Sequence, residues 1–544
     1  MPSSSRPGYS SYRIAAPAVA APKSAPPSAG PSTLDTAFRL WCLHEALKLL
    51  HEPTWSPWVL ACGVAVAAAA VAPRQPLVAL ALTLRLCDTA MLMPFCWDSF
   101  YWCFQIDGGL LLLLLCAASA DRDAVARSWA EICRLQLSLF YASAAWWKLN
   151  TSFLDPRTSC APMFFLTLLP TLGYTPSPAV ALGVRNLAPA ATIGGEACIG
   201  LLLAAASNRL RRLGVCLALL LHLGISLTPS PNNATPFSLA MAARLLAPAL
   251  TALLRHAAER RRTALLAAAA AAAATGIQCL RALSFDSRGG RLGRGVADWW
   301  VAAFALYAFV LPALGLQDQG APNMYSNLQM HGRGNHLVAP TDVIGSLPLL
   351  APLFETARVE ASSSEHINGV CPGDATPAER ACIYPGEITH LMAPHEVALL
   401  RSVGHTGRMF NPMKNRILGT EGEAPFSRYT LPALELRRVL AEARAKGEAF
   451  SLTYTHLTGD GDEAWRRDAA GRTVYLSEDG RGGRRCVVRG GAWCSGVLGT
   501  LRRSCACGEG EIAMQPPPGW LARKFLLQQP YPVLDWDELV CFGP

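Results

Sequence analysis

Nine apolar runs follow one another between residues 58 and 316, at 58–72, 76–95, 99–119, 132–149, 187–206, 213–228, 236–254, 263–280 and 299–316. Apolar surface on this scale must be removed from water, either by packing runs on one another or by immersing them in lipid. A spanning helix takes about 20 residues, and several runs reach that length with their flanks. The pattern predicts a mainly α fold, a polytopic membrane helix bundle of seven to nine spans over residues 36–316, with 38–51 an amphipathic segment. Residues 1–35 read as a disordered tail rich in Ser, Pro, Ala and Gly, and 317–544 as a soluble α+β domain. Within that domain, 386–402 and 430–446 look helical and 448–456 and 472–477 look like strands.

Charge then sets an orientation. Only 16% of residues are charged and the net charge is +9, against about 25% charged in an ordinary soluble domain. A basic balance can signal nucleic acid, but here many arginines sit in short loops between apolar runs, where they orient helices instead. Arg209, Arg211 and Arg212 lie in one loop, and Arg255, Arg260, Arg261 and Arg262 in another two runs later. The positive-inside rule makes both cytosolic. Arg281, Arg288, Arg291 and Arg294 then also belong in the cytosol if 263–280 does not cross.

Residues 299–316 would carry the chain into the lumen, together with Cys371, Cys382, Cys486, Cys494, Cys505, Cys507 and Cys541. Seven cysteines in an oxidising lumen suit structural disulfides, and the compartment that fits is the endoplasmic reticulum, with plastid or mitochondrial membranes as alternatives. The sequon Asn150-Thr151-Ser152 falls on the same side. The eleven earlier cysteines, such as Cys87, Cys116 and Cys216, read as small buried hydrophobes.

Ionisable groups inside apolar runs are costly and therefore informative. The stretch RLQLSLFYASAAWWKL carries Arg134, Gln136 and Lys148, GGEACIGLLL carries Glu196, ALLLHLGISL carries His222, and WDSFYWCFQIDGGL carries Asp98, Gln105 and Asp107. Lys148 has two readings. Beside Trp146 and Trp147 it is an interface anchor whose ammonium snorkels outward; desolvated, it is a base usable at neutral pH. Glu196 and His222 are either buried polar groups satisfied by a neighbouring helix or members of a site. Asp98 and Asp107 read as lumen-edge or helix-packing groups.

These blocks resemble, in order and spacing, the HTTM domain, the membrane domain shared with vitamin K-dependent gamma-carboxylases. The matching residues are Arg134, Gln136, Tyr141 and Lys148-Leu149, then Glu196, then His222, and last MYSNLQMHGRGNHLVAP from Met324 to Pro340. The resemblance covers about residues 36–340 and departs at Trp147, where the family has a second lysine, and at Asp98, where it has a histidine. It implies a lyase that uses reduced vitamin K or another quinol, dioxygen and carbon dioxide to carboxylate glutamate in a Glu-rich protein substrate. Lys148 would be the base, His222 and Glu196 its catalytic partners, and Trp147, Tyr141, Gln136 and Asp98 the quinol-binding groups. The expected partners are membrane lipid and that substrate, with no nucleic acid and no metal. A transporter or scaffold whose polar residues only hold helices together is the alternative, as is quinol chemistry on another substrate.

Beyond the resemblance, the spacing of Cys486, Cys494, Cys505 and Cys507 does not match a CxxC zinc ribbon. The arginine-rich run 481–489 is either a solvated loop or a seat for an acidic partner. His331 and His336 either line the lumenal mouth or sit in an ordinary polar loop.

Overall fold

The computed structural model describes residues 33–50, 56–93, 98–116, 122–156, 159–228, 291–314, 355–364, 429–457, 471–489, 505–519 and 531–532, with isolated residues between 238 and 353. The helical part contains α1 (Thr33–Leu50), α2 (Pro57–Val71), α3 (Gln75–Leu92), α4 (Asp98–Cys116), α5 (Arg122–Trp147), α6 (Thr151–Leu154), α7 (Ala161–Thr171), α8 (Pro178–Ala204) and α9 (Asn208–Ser226). It closes with α10 (Arg291–Ala305), continued by a π-turn at Leu306–Val310 and a last turn at Leu311–Ala313. Serine followed by proline starts two of these helices. Ser56 and Ser177 accept from the amides of Val59 and Val180, and Pro57 and Pro178 occupy the first helical position, where no amide is needed.

The expected bundle of seven to nine spans is not what forms. Among the described residues only α8 is long and apolar enough to cross a membrane; Pro57–Val71, Phe100–Cys116 and Asp298–Ala313 are apolar but shorter. Length removes those three, and others enclose charges that the run count passed over. Helix α3 carries Arg85 and Asp88, and α5 carries Arg122, Asp123, Arg127, Glu131 and Arg134 before its apolar portion begins. Arg291 and Arg294 open α10 instead of lying in a loop. Most of 236–254, all of 263–280, the tail 1–32 and the expected helix 386–402 lie outside the described residues.

Helix α5 is the hub, packing against α1, α4, α8 and α10. Its crossing with α8 is close because Gly200 has no side chain: a Cβ there would sit 3.0 Å from the Ala142 amide nitrogen and 3.1 Å from the Ser138 carbonyl oxygen. The Ser138 hydroxyl donates to the Gly200 carbonyl at 2.8 Å across that contact. Helix α9 meets α8 in the same way at Gly214, where a Cβ would fall 2.9 Å from Leu202 Cβ.

A second core forms around a seven-stranded antiparallel sheet, β1 (Thr356–Ser362), β2 (Tyr429–Pro432), β3 (Ala449–Leu457), β4 (Arg472–Asp479), β5 (Arg484–Arg489), β6 (Cys505–Ala506) and β7 (Tyr531–Pro532), in the order β6-β5-β4-β3-β1-β2-β7. Strand period two puts Leu452, Tyr454, Val474, Leu476 and Val488 on one face. Helix α11 (Ala433–Ala445) covers that face with Leu436, Val439, Leu440 and Ala443. The expected strands at 448–456 and 472–477 are β3 and β4. The helix expected over 430–446 starts only at Ala433, since residues 429–432 pair with β1 as β2.

Cys486 and Cys507 form a disulfide, with Cα atoms 5.4 Å apart, and Cys160 and Cys505 each take part in a further disulfide. The reading of the earlier cysteines as small buried hydrophobes fails at three named positions. Cys87 and Cys116 are exposed and Cys216 half-buried, because they sit on outward faces of α3, α4 and α9.

Candidate functional site

The two glycine crossings place the polar residues. From the Ala142–Gly200 contact, six residues along α5 and four back along antiparallel α8 carry the chain about 9 and 6 Å in the same direction. Lys148 and Glu196 therefore face each other, and Nζ lies 2.9 Å from each carboxylate oxygen. On α9, eight residues beyond Gly214, His222 meets α5: the Tyr141 hydroxyl and His222 Nε2 share a hydrogen bond at 2.6 Å. His222 Nδ1 then faces the Ser238 hydroxyl at 3.4 Å.

Both pairs open onto one cavity of about 440 Å³ between α5, α7, α8 and α9, within the usual size range of small-molecule sites. Apart from the two pairs its wall is largely apolar, with Phe140, Phe164, Phe165, Leu168, Ile199 and Leu221 prominent. Lys148, Tyr141 and His222 are 5%, 1% and 3% exposed. The ammonium thus points inward to a carboxylate, and the snorkelling geometry is absent.

The other expected site residues lie elsewhere. Trp147 donates from Nε1 to the Ala308 carbonyl at 2.8 Å and packs on Phe309, so it ties α5 to the end of α10. Gln136 is fully buried, with no hydrogen-bond partner for either amide atom among the described residues, and does not line the cavity. Asp98 is the first residue of α4; its side chain lies outside the described set. Asp107 is a helix-packing group, accepting from Arg244 at 3.0 and 3.1 Å.

Three features escaped sequence reading. Ser238, one serine among many, backs His222. A buried ion network joins Arg244 to Asp107 and Glu45, and Glu45 to Arg85, which also holds Asp88; Arg85 and Asp88 inside the run 76–95 were the available signal. Asn150 is 0% exposed. Its side chain caps α6 by accepting from Phe153 N and donates to the Trp147 carbonyl.

His336 closes the same corner. Its Nδ1 accepts from Val338 N and Ala339 N, and Nε2 donates to the Trp146 carbonyl at 2.8 Å. Burial lowers its imidazole below the usual value, against the opposing hydrogen bond to Trp146. It is a fastener between helix end and loop; His331 lies outside the described residues.

Residues 334–524 match a family described as a domain of unknown function (DUF8388). The match begins just before His336 and takes in β1 to β6, stopping short of β7. No curated protein and no solved structure matches the chain.

Proposed function

We propose that this chain is a membrane-held enzyme, similar to the gamma-carboxylases, that takes an apolar quinol into the α5–α8–α9 cavity and carboxylates glutamate in a protein substrate. The carrying observation is the convergence of Lys148–Glu196 and Tyr141–His222 on one apolar cavity. The residues fit a quinol: aromatic and aliphatic walls suit its ring and tail, and the two polar pairs offer partners to its hydroxyl groups. When bound, a reduced quinol with dioxygen supplies the base strength that γ-proton removal needs. The chain's own part is positional and protonic. Lys148 Nζ, held 2.9 Å from the Glu196 carboxyl group, is the group placed to exchange a proton with a bound hydroxyl, as general acid–base catalysis requires. Tyr141 and His222 form a second proton-conducting pair, with Ser238 orienting the ring. Phe140, Phe164 and Leu221 keep water away from the exchange.

Membrane location is supported by α8 and by the outward leucines Leu60, Leu80, Leu187, Leu201, Leu220 and Leu223, all more than a third exposed. So much exposed apolar surface marks an interaction with lipid or protein. The Cys486–Cys507 disulfide suits the endoplasmic reticulum, an oxidising compartment.

The test supplies membranes containing the protein with vitamin K hydroquinone, labelled bicarbonate and a glutamate-containing peptide. Label enters the peptide with the native chain and drops by about 100-fold or more in Lys148→Ala, the usual range for loss of a general base. Equal incorporation in the two would remove Lys148 from the chemistry, and none in either would remove the carboxylase reading.

A scaffold without catalysis is favoured by one observation, the Arg244–Asp107–Glu45–Arg85 network, since there too buried charges join helices to one another.

A further inference from the structure

The sheet has one covered face and one open face. On the open side β5 presents Arg485 and Arg489, and β4 presents Thr473, Tyr475 and Ser477 opposite them in the registers Thr473↔Arg489, Tyr475↔Val487 and Ser477↔Arg485. Both arginines are exposed, and Tyr475 is 37% exposed. The Arg489 guanidinium stacks 4.8 Å from the centre of the Tyr475 ring, an arrangement that fixes the side chain while leaving its edge donors free. Strand β3 extends the surface with Ser451 and Thr453.

The neighbouring charges are engaged within the chain. Arg484, pointing to the covered face, pairs with Glu478 at 3.0 Å. Glu360 accepts from Arg358 and Thr455. Asp479 accepts from the amides of Arg481 and Gly483 in the β4–β5 turn. Arg485 and Arg489 have no carboxylate partner among the described residues, so the face carries a net positive charge. Cys486, between them, is bonded to Cys507, which holds β5 in place and lowers the ordering cost of binding.

We propose that this open face docks an acidic polypeptide segment lying extended along β5. The spacing makes the choice. Arg485 and Arg489 are four residues apart on one strand face, about 13 Å at strand rise, matching carboxylates four residues apart in an extended peptide. The guanidinium forks suit carboxylates, and the Ser and Thr hydroxyls can donate between them. A single-stranded nucleic acid would call for a series of stacking aromatics, and among the described residues of β3, β4 and β5 Tyr475 is the one aromatic on this face. That the segment is the glutamate substrate of carboxylation rests on the reading above; docking itself needs no quinol and no turnover.

The experiment measures fluorescence anisotropy of a short labelled peptide with glutamates four residues apart against the full-length protein in detergent. Binding is expected, weakening with salt, and about fivefold weaker for each arginine removed in Arg485→Gln and Arg489→Gln, the upper range for exposed ion pairs. Arg484→Gln leaves it unchanged. Both positions are exposed, so the variants keep the native circular dichroism spectrum. No binding, equal binding of a glutamine peptide, or equal binding by the double variant overturns the proposal. So does tighter binding of a thymidine oligonucleotide or phosphatidylserine vesicles than of the peptide. Peptide binding without carboxylation keeps the docking face and removes only the carboxylase reading.

Discussion

The helical part and the sheet part of this chain handle charge in opposite ways. Between the helices, charges are few, buried and paired: Arg85 with Glu45, Arg244 with Asp107, Lys148 with Glu196. In the sheet part they are frequent, and many sit at the rim, with exceptions such as the buried Arg438–Glu435 pair of α11. An apolar surrounding makes each helical pair expensive to disturb, whereas solvent screens the rim charges of the sheet.

The sharpest way to break this contrast is Arg244→Met. It leaves Asp107 buried without its guanidinium, and breaking such a pair costs about 3–5 kcal/mol, seen as a large fall in thermal stability of the detergent-solubilised chain. Loss of less than about 1 kcal/mol would place these pairs on the same footing as surface charges.

A smaller effect is expected from Gly200→Ala. The added methyl meets α5 backbone at 3.0 Å, so α8 must move away at a cost of about 1–3 kcal/mol. The displacement also separates Glu196 from Lys148, so label incorporation in the assay of the proposed carboxylation is expected to fall by more than the stability loss accounts for. Unchanged incorporation at reduced stability would uncouple the helix crossing from the proposed site.

The smallest effect belongs to the sheet and appears only in acid. Burial opposes ionisation of Glu511, but the hydrogen bond and charge of His456, the Tyr454 hydroxyl and the Arg472 charge outweigh it and hold the carboxyl below its usual value. A depressed carboxyl stabilises the fold fully above its unfolded value, about 4.3, and the contribution disappears as pH falls through the folded one. Native sheet stability should therefore drop on acidification below about pH 4.3. In Glu511→Gln that portion of the slope should be missing, measured by urea unfolding at stepped pH. An unaltered slope would assign the acid sensitivity to other carboxylates.

Legibility from sequence followed the same divide. Lys148, Glu196 and His222 stood out because a polar group in an apolar helix is rare enough to notice, whereas Tyr141 and Trp147 came only with the family resemblance. Gln136 stood out by the same rarity and lies away from the cavity, as does Trp147: rarity marks a residue without saying which way it faces. In the sheet part, Arg484, Arg485 and Arg489 were indistinguishable members of one basic run, and only strand pairing separated the arginine bonded to Glu478 from the two left open. Strands β3 and β4 were readable from their alternation, while β2 was absorbed into a helix because four residues carry too little period to read.

The sequence by itself determined that an apolar, charge-poor region precedes a charged, cysteine-bearing one, and which few polar residues had to be accounted for. It did not determine the number of helices able to cross a membrane, because a run count ignores where helices begin and which charges they enclose. Tertiary structure alone decided that Gly200 and Gly214 bring three helices close enough for Lys148 to meet Glu196 and Tyr141 to meet His222. Those contacts join residues 48 and 81 positions apart, and no local pattern encodes a distance that packing alone sets.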